Sequence, residues 1–564
     1  MRNSMLAPTV ASFLVAVCCG VSDAGAEFPA PENAVKDDVD HWGIAFSDQL
    51  NAFESAFADF QRKAGKGKLD YVLGVETSLR KTFQNKYWFK GKVTDVVELC
   101  AGRNEAEAFQ LAVLPKMGLE LKDVTATVSD LKKTGGAPAT IPASCVKLYR
   151  VGFVPTNQPA YPTRHVGLWP DPLMEPAPFS LKGIELGLFW CEVKVPADAA
   201  PGDYSGRLSI SATNSHGLSM TIKLHVWDFV LPDRVQMPML VWTGGVPRDE
   251  ARRHYALLLE HHVDPISVGV NANLDEVSED LKFCFERGLM YFQTIRCKNA
   301  DSFRPYYENI KKKGWLDKAL IYAAHDEPLQ KQFEEIVVPA TQRLHRDFPG
   351  LRVFLASQYH DGIERGTDIL LMDRSTNFYS WLEAGRPGKQ ELWWYFCGIP
   401  IRAGFERPVV DSPRMLIDRD SVEHRVVYWM AFHYGVKGLF TYAGNRWPGG
   451  NDRWPEEAFK PVSKMHYPYA GLHNGDGYVI YPGPRPSIRL KNIRDGAEDY
   501  WYLARVAELA RSGSHAAKAK VLLDGARPGV FVDAHYFNRN PQAMLDYRRK
   551  LGRFIEEATT AARR

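Results

Sequence analysis

The chain has 564 residues, 45% of them hydrophobic and 24% charged, which excludes a disordered chain and is too long for a single core. Its net charge of +3 is spread along the sequence without a dense basic run, so nucleic acid is not an expected partner. The 14 tryptophans are a surplus that suits packing and also the flat apolar faces of sugar rings.

Residues 1–26 read as a secretory leader, with Arg2 as a small basic region, a mostly apolar stretch at 6–17, and Ala24-Gly25-Ala26 as the cleavage site ahead of Glu27. Cys18 or Cys19 offers the alternative of a lipoprotein anchor, and Val17 before Cys18 is bulkier than that processing favours. The expectation is therefore an exported protein, periplasmic or extracellular. No later run of 18 apolar residues occurs, so no stable membrane insertion is expected. Six cysteines follow the leader: Cys100, Cys145, Cys191, Cys284, Cys297 and Cys397. Export permits disulfides, but their wide spacing and apolar contexts fit buried thiols equally well. Neither a C-x-x-C pair nor H-E-x-x-H is present, so no metal site is signalled, and no cofactor is expected.

Residues 27–70 form a polar arm with a helical pattern in which Phe46, Leu50, Phe53, Phe57 and Phe60 recur at threes and fours. Residues 71–235 read as a β-sandwich, with short strands at 93–100, 106–114, 124–128, 146–154, 186–195, 206–212 and 220–227 separated by turn residues. The Pro-rich stretch 155–178 reads as a long loop, either packing between domains or reaching toward a neighbouring active site.

From 236 to 505 the pattern becomes an alternation of strands and helices. Strand-like runs fall at 239–242, 266–270, 289–295, 320–324, 353–357, 369–372, 392–397 and 438–442, which predicts a (β/α)8 TIM-type barrel. The helix between the fifth and sixth is weakly marked. Residues 506–564 continue as a C-terminal helical segment, and Arg494, Asp495, Glu498 and Asp499 at helical spacing read as a structural ion-pair network.

The candidate chemistry sits at the fourth strand end. The apolar run 320–324 stops abruptly at His325-Asp326-Glu327-Pro328. In a barrel, the C-terminal strand ends carry the active site. Polar or aromatic residues crowd the other strand ends as well, including Asp373, Trp394, Tyr395, Tyr442, Asn445 and Trp447, as in a mouth lined for a polar, ring-shaped ligand. Adjacent strand residues point to opposite faces, so Asp326 and Glu327 reach one sugar only if the strand breaks there. Pro328 makes such a break plausible.

These pieces together resemble glycoside hydrolase family 123: His325-Asp326-Glu327-Pro328, Trp393-Trp394-Tyr395, Tyr428-Trp429 with residues 434–438, and residues 492–500. The segments 190–206 and 227–232 are similar to that family's N-terminal domain. The resemblance implies a β-sandwich on a (β/α)8 barrel and an exo-acting β-N-acetylgalactosaminidase that works by substrate assistance. It implies that Asp326 orients the 2-acetamido group and that Glu327 is general acid, then general base. Trp394, Tyr395, Tyr442 and Trp447 would wall the sugar, while Asn445 and Asp373 would read its hydroxyls. The expected partner is a glycan or glycoconjugate. The seventh strand end, Tyr395-Phe396-Cys397, holds no carboxylate, which fits a substrate that brings its own nucleophile. Two alternatives stay open: a glycosidase of other specificity pairing Glu327 with Asp373, and an inactive carbohydrate-binding barrel. The oligomeric state, the linkage and the natural glycan are open as well.

Overall fold

The computed structural model describes residues 46–65, 67–159, 161–271, 273–373, 378–383, 385–386, 390–396, 412–447 and 473–563. The leader, its cleavage site and Cys397 lie outside the described residues. The helix Phe46–Ala64 opens the described chain and buries Phe53, Phe57 and Phe60 in the core of the β-rich region that follows.

That region holds two packed sheets. The first runs in the order Lys92–Val93, Tyr71–Thr77, Ala106–Pro115, Gly187–Lys194, Val146–Pro155 and Leu168–Met174. The second is built on Leu121–Val128, Gly202–Ala212, Ser215–Val230 and Val96–Arg103. One core joins them, with Leu111 and Phe189 from the first sheet against Ile210 and Leu224 from the second. Ala106–Pro115 is buried at every position, with Glu107 and Gln110 set inside an otherwise apolar strand. The stretch 155–178 departs from the expected loop. Leu168–Met174 is an edge strand paired with Val146–Pro155, because Pro170 and Pro172 are tolerated where no further strand needs their missing N–H.

The barrel strands are β1 (Met239–Val241), β2 (Val263–Pro265), β3 (Phe292–Gln293), β4 (Ala319–Tyr322), β5 (Arg352–Ala356), β6 (Ile369–Asp373), β7 (Glu391–Phe396) and β8 (Leu439–Thr441). All pair in parallel in the order β2-β1-β8-β7-β6-β5-β4-β3, an eight-stranded and nearly closed TIM-type barrel. The second strand lies earlier than expected, and Ile266–Gly269 is a 3-10 turn. This turn covers the seam between β2 and β3. Gly269 approaches so closely that a Cβ would meet the Gln293 carbonyl oxygen at 2.4 Å, and the Tyr306 hydroxyl donates to the Gly269 carbonyl at 2.7 Å. The weakly marked connection between β5 and β6 is the single turn Ile363–Arg365.

Strand alternation sorts the barrel side chains. Leu320, Tyr322, Phe354, Leu371, Trp393 and Phe440 fill the lumen, while Ile321, Val353, Leu370, Leu392, Trp394 and Leu439 pack outward on the helices. Both faces are covered, so the strands read as unbroken apolar runs.

Buried ions join the β-rich region to the barrel and the C-terminal helices. Arg494 pairs with Glu192 at 2.7 Å and Asp495 at 2.6 Å, and Arg425 reaches Asp499 at 2.7 Å. Arg548 closes on Glu105, on Glu107 at 3.1 Å and on Asp499 at 3.0 Å. A second knot surrounds Asp171, which takes Lys81 at 3.2 Å, Arg489 at 3.0 Å and the Tyr481 hydroxyl at 2.7 Å. Burial pushes the Asp171 carboxyl up, but Arg489 and Lys81 outweigh it and hold the group at about 2. Burial pushes the Lys81 ammonium down, so the guanidinium of Arg489 is the more durable counter-charge. Asp171→Asn leaves two buried cations without their carboxylate and is expected to destabilise the fold by about 3–5 kcal/mol. The check is a lowered midpoint in denaturant at neutral pH. A depressed folded pKa gives stability that is present above the unfolded value and lost as pH falls toward 2. The gap between variant and parent therefore narrows in acid.

Candidate active site

β4 ends at Tyr322, four residues before Asp326. The chain then bends. The Ala323 N–H still donates to the Phe354 carbonyl at 3.0 Å, and the Glu327 N–H donates to the Ala356 carbonyl at 3.2 Å. Glu327 has φ of +42°, a left-handed conformation that costs a non-glycine residue energy and is found preferentially at functional positions. The His360 ring, stacked on Phe333 at 5.1 Å, holds the Pro328 carbonyl at 2.8 Å and pins the far side of the bend. The strand alternation that would send Asp326 and Glu327 to opposite faces is therefore interrupted between β4 and the carboxylates. Both side chains are half-buried.

Tyr322 lies inside the barrel and donates its hydroxyl to Asp326 Oδ1 in a short hydrogen bond. The Tyr322 hydroxyl oxygen in turn accepts from the Ala356 N–H at 3.4 Å. Burial raises the Asp326 carboxyl above its ordinary range, against the Tyr322 hydrogen bond, the charge of Arg296 and the Glu327 N–H. Burial first, and then the Asp326 charge, push the Tyr322 phenol well above its ordinary value, so it stays a donor. Beneath the carboxylates lies an aromatic floor. Trp242 meets Tyr322 edge-on at 5.6 Å and Phe440 at 4.9 Å, and its indole N–H donates to Gln293 Oε1 at 2.6 Å. Tyr395 packs on Phe440 at 5.4 Å, and Tyr442 packs against the same cluster.

The other expected site residues divide. Tyr395 and Tyr442 are half-buried on the lumen side. Asp373 ends β6 on the lumen face, in register beside Tyr395, and its Oδ2 takes Arg414 Nη1 at 2.9 Å. Three expectations are corrected. Trp394 is 0% exposed on the outer face, against Phe378 at 5.4 Å and Tyr434 at 6.1 Å, where no sugar reaches it. The lumen position belongs to Trp393, which plugs the barrel deeper down and donates to Glu391 at 3.0 Å. Asn445 is a buried clamp that accepts from the Gly244 N–H at 3.1 Å and donates to the Gly244 carbonyl at 3.2 Å, fixing the loop after β1. Trp447 is buried against His254 and donates to the Ile480 carbonyl at 2.8 Å. Both are structural.

Sequence reasoning missed Tyr322 and Arg414 as site residues, while Trp242 was legible as the aromatic residue that follows the first barrel strand. Tyr322 was legible, since it shares the parity of Leu320 and precedes Asp326 by four. Arg414 lies far along the chain from Asp373 and carried no local signal. Among the described residues no cluster of His, Cys, Asp or Glu has the makings of a metal site, and Cys100, Cys145, Cys191, Cys284 and Cys297 are free thiols.

Residues 81–212 match the family model for the glycoside hydrolase 123 N-terminal domain, and residues 299–506 match that for the glycoside hydrolase 123 catalytic domain. The chain belongs to glycoside hydrolase family 123. It is a glycoside hydrolase with a glycan substrate, and Asp326, Glu327 and Asp373 lie within the segment matched to the family 123 catalytic domain. A family 123 glycoside hydrolase from Clostridium perfringens, described in a study of glycolipid glycan hydrolysis, superposes with a TM-score of 0.62 at 11% identity, covering 86% of this chain and 97% of that one. A family 39 glycoside hydrolase from Bacteroides cellulosilyticus aligns at 10% identity over 71% of this chain and 81% of its own, with a TM-score of 0.32. No curated protein sequence matches the chain. No helix among the described residues is long and apolar enough to cross a membrane.

Tyr322→Phe removes one hydroxyl from this candidate site and leaves the ring packed. Asp326 loses its neutral donor, so kcat is expected to fall about tenfold, in line with the loss of one hydrogen bond to a charged group. Initial-rate kinetics on any aryl glycoside the enzyme cleaves provide the check, with an unchanged near-ultraviolet spectrum as the folding control.

Proposed function

We propose that this enzyme is an exported, retaining exo-glycosidase that removes terminal β-linked N-acetylgalactosamine by substrate-assisted catalysis. The observation that carries the reading is the break in the chain after β4, which removes the strand alternation that would part Asp326 from Glu327. The ion pair between Asp373 and Arg414 adds support, because a carboxylate engaged by a buried guanidinium is a weakened nucleophile.

In the first step the 2-acetamido oxygen attacks the anomeric carbon as the glycosidic bond breaks. Glu327 gives its proton to the departing oxygen. Asp326 accepts from the acetamido N–H and stabilises the positive charge that spreads over the oxazolinium ring. In the second step Glu327 takes a proton from water, which attacks the same carbon from the opposite face and restores the acetamide. Two inversions give net retention. The half-buried rings of Trp242, Tyr395 and Tyr442 offer apolar faces to the sugar.

The test is a panel of aryl β-N-acetylgalactosaminide, β-N-acetylglucosaminide and β-galactoside. Cleavage of the first, with inhibition by a thiazoline analogue of the intermediate, is expected. Comparable cleavage of the plain galactoside would sink substrate assistance and favour Asp373 as nucleophile. Sugar binding without any cleavage would leave only a lectin-like barrel. For export, the mature N-terminus recovered after secretion should be Glu27, whereas a lipid-modified Cys18 or Cys19 would replace the soluble form with an anchored one.

A further inference from the structure

A cavity of about 310 Å³ lies outside the barrel, where the β-rich region meets the starts of the helices Ser421–Tyr434 and Pro541–Arg563. Its described lining carries five cations, Arg80, Lys81, Lys90, Arg164 and Arg539, and one carboxylate, Asp420. One layer out these cations are partly matched, Arg80 by Glu76 at 3.5 Å and Arg539 also by Glu423 at 3.2 Å, but carboxylates are shared. Asp420 is divided between Arg164 at 3.5 Å and Arg539 at 3.0 Å. Asp171, beneath Lys81, is divided between that lysine and Arg489. A concave surface with such an excess concentrates positive potential and draws anions.

Three of the cations keep their heads partly in water, with side chains of Arg80, Arg164 and Arg539 at 36, 46 and 35% exposure. The Arg164 contact to Asp420 is long enough to be exchanged for a better acceptor. The floor between these heads is apolar, formed by Phe83 and Trp169 in edge contact at 4.9 Å. A cationic rim over an aromatic floor, in a volume at the small end of ligand sites, suits one ring with an apolar face and an anionic substituent.

The cavity is tied to the barrel mouth. Glu423 accepts from Arg539 at 3.2 Å and from the Arg414 N–H at 3.0 Å, and Arg414 grips Asp373 at the end of β6. We propose that this cavity is a second saccharide site, which binds a sulfated or carboxylated sugar residue of an acidic glycan at the rim of the mouth. The guanidinium groups of Arg80, Arg164 and Arg539 take the anionic group in forked hydrogen bonds, and an apolar edge of the sugar meets the small exposed edges of Phe83 and Trp169.

The test is direct binding to the full chain, by calorimetry, of galactose 6-sulfate, glucuronate, galactose and inorganic sulfate. The two acidic sugars are expected to bind at least about tenfold more tightly than either galactose or sulfate, with an affinity that falls as salt rises. The double variant Arg80→Ser/Arg164→Ser should lose about tenfold of that affinity, while Arg164→Lys retains part of it. Equal binding of galactose would overturn the charge recognition. Equal binding of inorganic sulfate would overturn the saccharide site and leave a simple anion site. Full affinity in the double variant would place the ligand elsewhere. Hydrolysis of a neutral aryl glycoside should not change in the variants, which reports that they are folded. Because the readout is binding, failure of the N-acetylgalactosamine reading leaves this result standing, and the converse also holds.

Discussion

Glu327→Gln is expected to lower kcat/KM on an unactivated β-N-acetylgalactosaminide by about three orders of magnitude, within the usual range for a positioned acid–base group. The melting temperature should stay close to that of the parent. Gln keeps the size of Glu and the same left-handed backbone penalty, so the bend after β4 survives. On the proposed mechanism, what disappears is a proton at the glycosidic oxygen, and later an acceptor for the proton of water. These two losses separate by substrate. With a dinitrophenyl leaving group, departure needs no proton, and the first step recovers most of its rate. The second step remains slow because water still needs a base. Azide needs none, so added azide should restore turnover of the dinitrophenyl substrate and give the β-glycosyl azide. An inverted azide product would mean a covalent or acetamido intermediate is never formed. No response to azide, with the same rate loss on all leaving groups, would remove Glu327 from the acid–base role. The alkaline limb of the pH profile should vanish in the variant as well, since that limb reports the acid.

The barrel and the carboxylate pair were legible in the sequence for one reason. Parallel strands covered on both faces are written as apolar runs, and the run that ends in His325-Asp326-Glu327 stands out by its abrupt change to charge. The same property hid which neighbours face the lumen. Trp393 and Trp394 sit in one unbroken run, so no polar alternation marks the inner residue, and only the register of β7 between β6 and β8 assigns Trp393 inward and Trp394 outward. Asn445 and Trp447 follow β8 in sequence, as mouth residues do, yet buried partners at Gly244 and Ile480 turn both inward for structural use. β2 was misplaced because Val263–Pro265 is three residues long and ends in proline, while the 3-10 turn after it is equally apolar. The ion pair of Asp373 with Arg414 joins residues 41 apart, and tertiary contacts of that kind leave no periodic trace.

Asp326→Asn tests the other half of the pair, and it sets activity against stability. On the proposed reading Asp326 contributes charge to a transition state in which the acetamido group turns cationic. Asn preserves size and a carbonyl acceptor for the Tyr322 hydroxyl but supplies no charge. The loss should be about two to three orders of magnitude and should fall mainly on kcat, as for other groups that act where charge develops. Substrates without the acetamido group, if cleaved at all, should be insensitive to the change. Stability moves the other way. Burial lifts the folded pKa of Asp326 above its unfolded value, so the folded state holds this proton more tightly. The associated stability is fully present below the unfolded value, at about pH 4, and is lost as pH rises through the folded pKa. At neutral pH the ionised carboxylate therefore costs the fold free energy that Asn does not cost. The variant should melt at or above the parent at pH 7, with the difference closing as pH falls toward about 4. A variant that melts lower at pH 7 would mean that the carboxylate is held by more favourable partners than Tyr322, Arg296 and the Glu327 N–H. The site would then no longer be one that gives up stability to keep a buried charge for catalysis.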